Sequence, residues 1–133
     1  MNPVDLGNAE TPARRSARPL LIAGGVDAVA VLLFAALGRR SHEESLTAAG
    51  IAATAWPFLT GVLTGWLLAR GWRRPLAPVP TGLVIWAATV PVGMALRKLT
   101  GQGTAPAFWV VATVSTAVLL LGWRTVALLA ARR

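Results

Sequence analysis

The feature that most constrains this chain is a series of four long apolar runs separated by short clusters of charge. The runs cover about residues 19–38, 46–69, 80–97 and 105–123. Each approaches or exceeds the roughly 20 residues that a helix needs to cross about 30 Å of hydrocarbon at about 1.5 Å per residue. Inside lipid every backbone N–H and C=O must be satisfied within the segment itself, which a helix does. Barrel strands would alternate apolar and polar residues, and these runs are apolar throughout. The expected fold is therefore an all-α membrane protein, four transmembrane helices in a compact bundle.

Composition agrees. The 133 residues are 55% hydrophobic and 14% charged, where a soluble domain carries about 25% charged residues. The net charge of +8 lies in arginines that flank the runs, so the expected partner is a bilayer with anionic headgroups and not nucleic acid. There is no cysteine, which excludes disulfides and thiol chemistry. One lysine against twelve arginines suggests a GC-rich bacterial genome.

Residues 1–18 are polar and read as a disordered cytoplasmic tail, leaving 19–133 as the transmembrane domain. The first run is too long for a secretory signal and is read as a retained span. Ser41-His42-Glu43-Glu44 has the spacing of a capping box and predicts the start of the second helix. Thr104 predicts the start of the fourth, and Gly71 a left-handed stop after the second. Arginine and lysine set orientation. The tail, the middle loop and the C-terminal end hold nine of these residues, Arg124 among them, and the other two loops hold four. The positive-inside rule then puts both termini in the cytoplasm, expected here to border a bacterial inner membrane. Trp66, Trp72 and Trp123 fall near the inner interface and Trp109 near the outer one.

The halves look alike. Arg39-Arg40 and Arg97-Lys98 precede matching loops, and Gly65-Trp66 matches Gly122-Trp123, which suggests two repeated helical hairpins. Small residues mark the packing faces, above all Gly61-x-x-x-Gly65 in the second run.

Few residues invite a functional reading. Asp27 lies deep in the first run, where a carboxylate is costly and faces a partner or a cavity. Thr89, Ser115, Thr60 and Thr64 fall at similar depth and form with it a candidate intramembrane polar site for a proton or small cation. The plainer alternative is a protonated Asp27 that ties helices together by hydrogen bonds. Arg39, His42 and Arg97 make a candidate outer cluster, either a mouth for an anionic solute or snorkelling arginines paired with Glu43 or Glu44. Pro57 and Pro91 are expected helix kinks that free the carbonyls of Ala53 and Ala87. One histidine and scattered serines support neither a metal site nor a nucleophile–base pair, so no cofactor, metal or enzymatic activity is expected.

Residues 20–124 resemble a family of small bacterial membrane proteins known as domain of unknown function 3054. The resemblance rests on Asp27, Phe34…Gly38-Arg39…His42, Thr54-Ala55-Trp56-Pro57-Phe58, Gly93-Met94…Arg97, Gly101…Thr104-Ala105, Phe108 and Gly122-Trp123-Arg124. It implies four spans and no particular activity. Two functions are expected from different classes: a small transporter-like or channel-like protein, assembled as a homo-oligomer or with a membrane-protein partner, or a non-catalytic membrane scaffold or accessory subunit.

Overall fold

The computed structural model describes residues 12–41 and 44–132. Four helices make up the bundle: α1 Pro12–Ser41, α2 Ala48–Ala69, α3 Leu83–Leu99 and α4 Pro106–Ala131. Their membrane-spanning parts run Ala17–Arg40, Ala48–Ala69, Pro78–Leu99 and Pro106–Ala131, which confirms four spans. No strand occurs among the described residues. Each helix packs on the one before and the one after it, and α4 closes the ring against α1. α1 begins before the expected first span, because residues from Pro12 onward are already helical. Residues 1–11 of the expected tail lie outside the described residues, as do His42 and Glu43.

The helix ends depart from the sequence signals in instructive ways. α1 continues through Ser41, and α2 starts only at Ala48, with the Thr47 hydroxyl accepting from the Gly50 amide at 3.0 Å. The expected start at Ser41–Glu44 is thus not where α2 begins, and Glu44 is engaged by Arg39. The Arg39 guanidinium pairs with Glu44 at 3.0 Å, and the Arg39 carbonyl accepts from the Glu44 amide at 2.8 Å. α4 is capped by Ala105 with no side-chain bond, Pro106 filling a first-turn position that needs no N–H partner. At the end of α2 the left-handed residue is Arg70, with φ 51°, and not Gly71. Gly71 is a glycine for another reason: a Cβ there would collide with the Trp66 ring.

The tightest seam joins α2 and α3. A Cβ on Gly61 would lie 2.7 Å from the Thr89 Cα, and one on Gly65 would lie 2.5 Å from the Ile85 Cα. The small-residue motif of the second span is thus used inside one chain, where it brings two backbones together. The first span also has small residues, Gly24, Ala28, Ala35 and Gly38, on the face of Asp27. Ala35 and Asp27 are buried, but a Cβ on Gly24 or Gly38 would meet nothing within 4 Å, and α1 packs also through Ala23, Val31 and Phe34. α4 buries one ridge at fourfold spacing: Ala112, Thr116, Leu120 and Arg124. Trp86 of α3 donates to the Thr113 carbonyl of α4 at 3.0 Å and ties those two helices.

All three phenylalanines meet at one end of the core. Phe34 and Phe58 pack edge to face at 5.2 Å, and Phe108 lies 6.3 and 6.1 Å from them. The other end of the core is polar, and it holds the candidate site.

Candidate functional site

Asp27 and Arg124 meet at the arginine-rich end of the bundle, both with side chains 0% exposed. Asp27 lies ten residues into the first span, roughly 15 Å along its axis from Ala17. Arg124 closes the buried ridge of α4, one turn after Leu120. Its two terminal nitrogens each donate to one carboxylate oxygen at 2.7 Å, the two-pronged geometry that a planar guanidinium matches best. Trp66 Nε1 donates to Oδ2 and Trp123 Nε1 to Oδ1, both at 2.9 Å. An ionised carboxylate has about four lone-pair sites, and here four donors occupy them.

Arg124 is equally engaged. Its Nε donates to the Pro75 carbonyl at 3.0 Å, and Nη1 also reaches the Leu120 carbonyl at 3.1 Å. Its guanidinium lies 4.5 Å from the Trp123 ring centroid and 5.8 Å from that of Trp66. One carboxylate therefore joins α1 to α2 through Trp66 and to α4 through Trp123 and Arg124, while Arg124 holds the middle loop at Pro75. Each indole N–H bond to the carboxylate is worth about 1.5–3 kcal/mol. Trp66→Phe and Trp123→Phe are each expected to lower the melting temperature accordingly, measured in detergent. Unchanged melting in both would show that the carboxylate does not need the indoles.

The other residues of the expected polar ring do not meet Asp27. Thr60 and Thr64 turn back to the carbonyls of Trp56 and Thr60, at 2.9 and 2.8 Å, on the outer side of α2. Thr89 is buried but donates to the Ile85 carbonyl at 2.6 Å, on the α2–α3 seam. Ser115 is half-buried, and the fully buried hydroxyl beside it is that of Thr116, bonded to the Ala112 carbonyl. A hydroxyl one turn after a helical carbonyl can bond it without help, so these groups need no partner across the bundle.

At the opposite end Arg39 and Arg97 make matching clamps. Arg39 Nε donates to the Ser45 carbonyl at 2.7 Å, and Arg97 Nε to the Gly103 carbonyl at 2.9 Å. Each carbonyl lies six residues after its arginine. The residue five after each arginine supplies a side-chain oxygen, from Glu44 at 3.0 Å and from Gln102 at 2.9 Å. The two hairpins thus repeat one contact. Arg39 also donates to the Thr54 hydroxyl at 3.2 Å, and Arg97 lies 4.3 Å over the Phe108 ring. α2 and α3 continue through Pro57 and Pro91. The Ala53 carbonyl that Pro57 frees accepts from Gln102 Nε2 at 3.5 Å. His42 lies outside the described residues, so its place in the outer cluster is not described. Among the described residues no three His, Cys, Asp or Glu side chains gather to hold a metal.

The model of the family described as "Protein of unknown function (DUF3054)" matches residues 25–127. The chain belongs to this family. The matched stretch opens just before Asp27 and closes just after Arg124, so the whole clasp of this family member falls within it. No curated protein and no solved structure matches the chain significantly.

Sequence reasoning found Asp27 but missed its partners. By position alone Arg124 falls among the interfacial charges, and Trp66 and Trp123 fall in the aromatic belt. The available signal was the sign and place of the charges. Once α4 is taken past Trp123, Arg124 is an intramembrane cation, and an intramembrane anion needs one.

Proposed function

We propose that this integral membrane protein is a non-catalytic scaffold or accessory subunit, and not a transporter-like or channel-like protein. The observation that carries the reading is the saturation of Asp27 by four donors. A coupling or conduction site needs a position on the carboxylate that a proton or cation can take in exchange. Here each such position is held by a group of the bundle itself. The same bonds account for Asp27 and Arg124 as fastenings among α1, α2, α4 and the middle loop.

A scaffold acts through its outer faces. α4 is the helix least covered by its own bundle, with 17% of its apolar window buried against 33–39% for the others. Val110, Val114 and Val118 form an outward ridge on it. β-branched side chains keep few rotamers in a helix, so such a ridge orders at little entropic cost. This is the face we assign to a second copy or a membrane-protein partner. With Arg124 withdrawn into the core, the arginine-rich end keeps eight of its nine counted basic residues against four at the other end. That excess supports an orientation with both termini inside.

Proton and cation flux in liposomes tests the function directly. The expected result is no flux above protein-free vesicles for the wild-type protein. Flux in the wild type that a folded Asp27→Asn variant abolishes would overturn the proposal. Because the chain lacks cysteine, Val114→Cys supplies a single thiol on the α4 ridge. Oxidation in native membranes is expected to link it to a neighbouring copy or to a cysteine of a partner.

A further inference from the structure

We propose that the arginine-rich end of the bundle carries a seat for one anionic phospholipid. Its acyl chain lies in a groove between α1 and α2, and its phosphate rests among Arg70, Arg73 and Arg74. The groove has a volume of about 380 Å³. Leu20, Gly24 and Ala28 form its α1 wall, Leu59, Leu63 and Leu67 line its α2 side, and Trp72 stands at its mouth.

Two features mark this groove as more than a gap between helices. The first is its shape. On the far side of α2 the glycines bring backbones together, but on this side Gly24 faces open space, where a Cβ would meet nothing within 4 Å. Two of the three α1 lining residues, Gly24 and Ala28, have little or no side chain, and that leaves a channel of apolar lining along the spanning part of the protein. The second is charge. The leucine row ends at Leu67, and Arg70, Arg73 and Arg74 follow directly around Trp72, all exposed. Their side chains make no hydrogen bond or ion pair among the described residues. Arg39, Arg97 and Arg124 by contrast are all engaged within the protein. Three uncommitted guanidinium groups above an apolar groove are complementary to a phosphodiester above an acyl chain. Trp72 suits the headgroup level, as an amphipathic ring does.

A transmembrane helix is a poorer occupant. An apolar partner helix would not use the arginines. Free phosphate could use the arginines but would leave the groove unfilled.

The test is lipid retention by the purified full chain. It is exchanged into mixed micelles of phosphatidylglycerol and phosphatidylcholine and weighed by native mass spectrometry. The expected result is one phosphatidylglycerol held per chain in preference to phosphatidylcholine. Replacing all three arginines by glutamine should weaken that preference on the order of 100-fold, taking about 1 kcal/mol for each. Gly24→Leu leaves the charge unchanged and fills the groove, and it should abolish retention. Ala28→Leu is a second filler should the first fail to fold. Gly25→Leu, which does not line the groove, should retain the lipid. Inorganic phosphate should not compete. Undiminished retention in folded Gly24→Leu and Ala28→Leu, displacement by inorganic phosphate, or no preference for phosphatidylglycerol would each overturn the proposal.

Discussion

Asp27→Asn is expected to cost a large share of the protein's stability. The substitution keeps one acceptor oxygen but places an NH2 group where the other oxygen accepted from one guanidinium nitrogen and one indole N–H. Arg124 then remains buried with its charge uncompensated. Breaking a buried ion pair by removing one partner costs about 3–5 kcal/mol, a large share of the roughly 5–15 kcal/mol that holds a domain folded. The reverse single change should be milder. In Arg124→Gln the carboxyl keeps both indole donors, and a carboxyl can neutralise itself by taking a proton, whereas a guanidinium cannot release one. The double variant Asp27→Asn/Arg124→Gln leaves no buried charge and is expected to recover most of the loss. Melting temperature and monodisperse yield in detergent rank the four proteins. The expected order is wild type, double variant, Arg124→Gln and Asp27→Asn. A single Asp27→Asn that melts with the wild type, or a double variant worse than either single one, would show that the pair is not a mutual dependence.

The same pair shows how far the fold and the site could be read from the sequence. The four spans were legible because hydropathy and length act locally: nothing but a helix satisfies the backbone of an apolar run in lipid. The α2–α3 seam was legible as a motif, since Gly61 and Gly65 share a face whatever their partner is. Which helix they meet was not, because that depends on how four rods are arranged. Asp27 was legible as an expense, but its partner lies 97 residues away. The threonines at its depth were plausible partners only until their own helical carbonyls are counted. Glu44 was claimed by two local rules, a cap and an ion pair. The ion pair prevails because Arg39 can bond it while also bonding Ser45 and Thr54. Trp66 and Trp123 sat where interfacial tryptophans sit, and only the place of Asp27 and Arg124 turns their N–H groups inward.

The seam between α2 and α3 gives a prediction in which two glycines should respond with opposite sign. Gly→Ala in a helix interior gains about 1 kcal/mol of propensity when nothing opposes it. Gly25, where a Cβ meets nothing within 4 Å, should show that gain. At Gly65 the Cβ would lie 2.5 Å from the Ile85 Cα, and a backbone atom cannot swing aside as a side-chain tip can. Overpacking of this kind costs about 1–3 kcal/mol, enough to reverse the propensity gain. Gly65→Ala should therefore melt below the wild type and Gly25→Ala at or above it. Gly65→Leu should do far more, because a leucine cannot fit without parting the helices. Parting them also moves Trp66, the next residue, off the Asp27 carboxylate. The loss at Gly65 should then be smaller in the Asp27→Asn/Arg124→Gln background, where that indole no longer serves a charge. Equal losses in both backgrounds would mean that the seam and the clasp act independently. A Gly65→Ala protein that melts above the wild type would mean that the two backbones are not in contact at all.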